Sequence, residues 1–123
     1  MFFVDDNGDI TLVQGDNGEL NVWDLPTDRN YTLYFAIYDE NRVRFGSEVS
    51  VQTNGSSNAT LVIPPALTDL LRVQSGEEYS TYYYGLKICY EPDGIEDTLL
   101  LGDSNLGDLN AITVYPKKVE GTV

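Results

Sequence analysis

Cys89 is the only thiol in this chain of 123 residues, and Lys87 stands two positions before it, on the same side of any extended segment. A neighbouring ammonium lowers a thiol's pKa, which is the first requirement of a cysteine nucleophile. The second is a base to take the proton, and the chain contains no histidine to supply it. The same absence excludes Cys–His catalysis, Ser–His–Asp catalysis and the ordinary zinc ligand sets. Cys89 therefore reads as a passive, half-buried side chain. The 20 acidic residues offer many carboxylate pairs of the kind used in glycoside hydrolysis. Most of them lie in turns beside Gly and Asn, where solvated acids behave ordinarily, and a chain this small rarely holds a deep cleft. Asp5-Asp6-Asn7-Gly8-Asp9, with Asp16 further on, alternates acids as a calcium loop does. The sharp-turn glycine that such a loop needs after its third ligand is Ile10 here, so a turn rich in Asp and Asn is the better reading. No glycine-rich phosphate loop precedes a helix. The expectation is no catalytic residue, no metal and no cofactor.

Aromatic side chains are what remains for molecular contact. The run Ser75 to Tyr90, SGEEYSTYYYGLKICY, holds five of the nine tyrosines. By the two-residue strand period Tyr82, Tyr84, Leu86, Ile88 and Tyr90 share one face, and Tyr83, Gly85, Lys87 and Cys89 the other. Tyr31 to Tyr38 alternates in the same way, Leu33, Phe35 and Ile37 against Tyr34, Ala36 and Tyr38. Rings on both faces of a strand require neighbours on both faces, a core on one side and a packed layer or a partner on the other. Tyr34, Tyr38, Tyr83 and the Phe2-Phe3 pair are the expected partner contacts.

The elements that carry these rings are short strands separated by turn residues. Ile10 to Val13 and Glu19 to Trp23 flank Gln14-Gly-Asp-Asn-Gly18, which tolerates positive φ and suits a hairpin or a pair that switches sheets. Val43 to Thr53 turns Val49 and Val51 inward, and Ala59 to Ile63 follows a loop of Asn, Gly and Ser. After Pro64-Pro65 the apolar spacing of Ala66, Leu67, Leu70 and Leu71 becomes helical for one or two turns. Beyond the tyrosine strand, Glu91-Pro-Asp-Gly94 makes a turn, Thr98 to Leu101 a strand, and Ala111 to Tyr115 the last strand before Pro116. The pattern predicts an all-β immunoglobulin-like β-sandwich of about seven or eight strands with one short crossover helix, in a single domain over residues 1–123 with short flexible ends. A partly open barrel is the alternative architecture. The expected core is Trp23, Leu33, Phe35, Ile37, Leu61, Ile63, Leu86 and Ile88, and Tyr79 is the expected tyrosine-corner residue, its hydroxyl bonded to nearby backbone.

A formal charge of −13 repels phosphate backbones, and no cluster of Lys or Arg offsets it, so direct nucleic-acid binding is not expected. A lone cysteine and a start without a basic, apolar leader point to folding in a reducing cytoplasm, and no apolar run is long enough to span a bilayer.

The order of short words also resembles a known group. Ile10-Thr-Leu, Gly15-Asp16 and Leu20-x-Val22, followed by Gly76, Tyr84-Gly-Leu86-Lys-Ile88, the acidic Pro-Asp-Gly turn and Ile112-Thr-Val114-Tyr-Pro116, are similar to the small immunoglobulin-like proteins of bacteriophage virions, including the N-terminal module of baseplate upper proteins. The resemblance covers nearly the whole chain. It departs in the longer spacing from Gly76 to the tyrosine strand and in having no fibre or receptor-binding region after Val123. It implies a non-enzymatic virion structural protein, made in the host bacterial cytoplasm, docking on capsid, tail or baseplate, with other virion proteins and other copies of itself as partners. A carbohydrate- or receptor-binding module used in host adsorption is the alternative expectation.

Overall fold

The computed structural model describes residues 1–99 and 109–118, and it is an immunoglobulin-like β-sandwich. Its strands are β1 (Phe2–Val4), β2 (Ile10–Val13), β3 (Gly18–Val22), β4 (Thr32–Tyr38), β5 (Arg44–Gln52), β6 (Ala59–Ile63), β7 (Ser80–Tyr90), β8 (Ile95–Leu99) and β9 (Asn110–Tyr115). One helical turn, α1 (Pro65–Thr68), crosses between β6 and β7. The large sheet runs β1-β2-β9-β7-β4-β5, with β8 also on β7, and β3-β6 form the small sheet. All its pairings are antiparallel except β2–β9, which is parallel. The Gly15 turn, at φ 85°, therefore sends the chain from one sheet to the other and does not close a hairpin.

Alternation explains which side chains are buried. Leu20 and Val22 on β3 oppose Leu61 and Ala59 on β6, and they face Leu33, Phe35 and Ile37 on β4 and Tyr84, Leu86 and Ile88 on β7. Ile10, Leu12, Ile112 and Val114 extend the same layer across the parallel pair, and Leu67 and Leu71 close it from the crossover. At the centre the Phe35 and Tyr84 rings lie 5.1 Å apart.

Several sequence expectations are corrected. Trp23 is 64% exposed and outside the core: with Leu20 and Val22 inward, the pleat turns residue 23 outward, and Leu25, after a positive-φ Asp24, takes the buried position instead. The tyrosine corner belongs to Tyr82, whose hydroxyl donates to the Arg72 carbonyl oxygen at 2.6 Å, whereas Tyr79 is half exposed with its ring against Tyr115. The strand expected over residues 98–101 begins earlier, at Ile95, and residues 100 and 101 lie outside the described ones.

Phe2–Val4, expected within a flexible end, forms a strand because Phe2 turns inward over Gly18. A Cβ at Gly18 would lie 2.0 Å from the Phe2 ring, so only glycine admits this contact. Besides their hydrogen-bonded partners, β1 packs against β3 and β5 against β6, so both margins of the large sheet approach the small one. No helix among the described residues is long and apolar enough to cross a membrane.

Candidate functional site

The outward face of the large sheet gathers three of the five side chains expected to meet a partner. On β4 the alternation that buries Leu33, Phe35 and Ile37 turns Tyr34, Ala36 and Tyr38 outward. On β7 it does the same for Tyr83, Gly85 and Lys87. The register sets Tyr34 beside Lys87, Ala36 beside Gly85 and Tyr38 beside Tyr83. Two small residues thus lie side by side between larger ones, and Tyr34 and Tyr38 stand about 13 Å apart along the strand. The outcome is a trough of about 340 Å³, with Glu48 and Arg42 toward β5 and Thr98 toward β8. Leu109 leans over Gly85, near enough that a Cβ there would be 3.3 Å from its Cδ2.

The walls differ in how firmly they are held. The Tyr34 hydroxyl donates to Glu91 at 2.8 Å, and that bond to a carboxylate raises its pKa. Lys87 Nζ sits 5.7 Å from the Tyr34 ring centroid and 3.3 Å from Glu96, whose hydrogen bond also raises the lysine's pKa. Glu48 pairs with Arg44 at 3.3 Å. The hydroxyls of Tyr38 and Tyr83, by contrast, make no hydrogen bond among the described residues.

Phe3 is 58% exposed but lies on β1, three strands from β7, and Phe2 is directed inward; neither joins the tyrosine group. Cys89 lies next to the site, buried, and burial pushes its thiol pKa up. That is opposite to what a nucleophile needs. Lys87 held protonated is likewise no base. Asp5, in the alternate-acid segment, accepts the N–H groups of Asn7 and Asp9, each at 2.9 Å, and Asp9 accepts the Ala111 N–H at 3.0 Å. These carboxylates tie the β1–β2 turn to itself and to β9.

Sequence reasoning singled out the tyrosines and missed the floor and rim: Ala36, Gly85, Glu48 and Lys87. The signal was present as a small residue flanked two positions away by large ones on each of two strands. Seeing a trough in it requires the register that puts Ala36 opposite Gly85. No protein-family model matches the chain, and no curated protein matches it.

Proposed function

We propose that this chain is a non-enzymatic structural component of a bacteriophage particle, an immunoglobulin-like module that docks on the capsid surface or on the tail or baseplate and uses the outward face of its large sheet for contact. The observation that carries the reading is the adjacent pair Tyr38 and Tyr83, displayed beside Tyr34 on a sheet face whose ionisable neighbours are shifted away from catalytic use. Aromatic side chains with available hydroxyls are the enriched currency of protein interfaces. The order of sequence words shared with phage immunoglobulin-like modules supports the assignment to a virion.

Particles of the phage that encodes the chain, purified and analysed by mass spectrometry, should contain it, and the isolated protein should bind emptied heads or detached tails. Tyr38→Ala with Tyr83→Ala should weaken that binding at least tenfold, a loss on the order of 1.4 kcal/mol, in protein that still melts cooperatively. Absence of the chain from particles, together with binding to neither heads nor tails, would end the proposal.

A further inference from the structure

We infer that Asn54 is a site of spontaneous covalent modification, the one among three Asn-Gly pairs that the fold leaves free to deamidate. The reaction needs no enzyme. The main-chain nitrogen of the residue after an asparagine gives its proton to water or hydroxide and bonds to the asparagine Cγ, the Cγ–Nδ2 bond breaks, and Nδ2 leaves as ammonia. Water then opens the resulting succinimide ring at one of its two carbonyls, giving aspartate or isoaspartate with no change of oxidation state. A following glycine favours ring closure, because it has no side chain to hinder the attack and its backbone turns freely. Asn7-Gly8, Asn17-Gly18 and Asn54-Gly55 therefore rank alike as sequence.

The fold separates them. Closure requires the peptide unit between the two residues to turn until its nitrogen reaches Cγ, and hydrogen bonds on that unit oppose the turn. In the β1–β2 turn both ends of the unit are held: the Asn7 carbonyl accepts from Asn110 Nδ2 at 2.8 Å, and the Gly8 N–H donates to the Asp5 carbonyl at 3.0 Å. Gly18 opens β3 opposite Ile63 and lies under the Phe2 ring, so turning its amide would disturb two strands. The Asn54–Gly55 unit, by contrast, makes no hydrogen bond among the described residues, and neither does the Asn54 side chain. Asn54 is exposed, and within 4 Å a Cβ at Gly55 would meet only the Thr27 carbonyl, at 3.7 Å. Two bonds shape this loop: Asn54 N–H to Asn30 Oδ1 at 2.8 Å, and Ser56 N–H to the Thr53 carbonyl at 3.0 Å. Only the second spans the unit. Asn54 and Gly55, at φ 53° and 74°, thus form a turn of the positive-φ kind closed by a single hydrogen bond.

The product gains a negative charge and, as isoaspartate, an extra main-chain atom in the turn that joins β5 to β6. The test is to age the intact protein in mildly alkaline buffer, digest samples at intervals, and follow the conversion of amide to acid at each of the three asparagines by mass spectrometry. A second sample is aged in urea, where the fold is lost. In the folded protein Asn54 should convert at least about tenfold faster than Asn7 or Asn17, and in urea the three rates should converge to within about threefold. Fragmentation that distinguishes the two acids should find isoaspartate at position 54, the signature of the ring. Equal rates in the folded protein, Asn7 or Asn17 leading, or the same order and ratio in urea as in the fold would each overturn the inference. Aspartate alone at position 54 would do so too, because direct hydrolysis of the side chain forms no isoaspartate.

Discussion

Two tyrosine hydroxyls, two residues apart on β7, fasten distant segments to the same strand. Tyr82 holds the loop after α1 through the Arg72 carbonyl, and Tyr84, buried in the core, donates to the Gly8 carbonyl in the β1–β2 turn. Replacing Tyr82 by Phe keeps the ring contact with Phe45 and removes one hydrogen bond, so chemical denaturation should show a loss of about 1 kcal/mol. Tyr84 sets a limit in alkali. Burial first, and then the charges of Asp9 and Asp5, raise its pKa above the ordinary 10.0. The neutral phenol's contribution is therefore complete below pH 10.0 and is lost as pH rises further, because the unfolded chain ionises first. Tyr84→Phe should be less stable at neutral pH by about 1–3 kcal/mol, since Gly8 loses its donor, yet its stability should fall less steeply above about pH 10. Equal slopes in the two proteins would refute this. Which face each β7 side chain occupies was legible from alternation. Their hydroxyl partners were not, because those lie in loops whose paths depend on packing.

At the scale of the element, β7 changes partner midway along one edge. Ser80 to Tyr84 pair with β9, Leu86 to Tyr90 pair with β8, and β4 flanks the other edge from Tyr83 to Cys89. Amides at the β4–β7 centre should be the last to exchange with deuterium, and those of β1 and β8 among the first. Slow exchange in β1 comparable with Leu33 to Ile37 would contradict that order. The Phe2–Gly18 contact gives a sharper test. Gly18→Ala should displace Phe2 and cost about 1–3 kcal/mol, even though alanine suits a strand better than glycine does. Most strands were readable because each has a clear period and turn residues around it. β1 was not, since three residues carry no period and this strand depends on a glycine sixteen positions away from Phe2.

For the whole molecule, charge governs the response to solvent. A net charge of −13 repels itself, and salt screens repulsion between exposed groups, so raising NaCl from about 0.02 to 0.3 M should raise the melting temperature by roughly 2–5 °C. A falling melting temperature would show that surface ion pairs such as Arg44–Glu48 outweigh the net repulsion. The sandwich itself was legible from strand spacing and the crossover after Pro64-Pro65. The trough was not, because it belongs to neither strand alone and exists only where Ala36 and Gly85 stand opposite each other.

The parallel β2–β9 pair has a mechanical consequence. The Val13 N–H donates to the Met1 carbonyl and the Gln14 N–H to the Tyr115 carbonyl, so the chain's first residue and the end of β9 lie at the same end of the sandwich. Tension applied between those two points would not shear the sheet along its strands. It would pull β1 away from β2 one hydrogen-bonded pair after another, like a zipper, leaving the β4–β7 centre unloaded until the strap had opened.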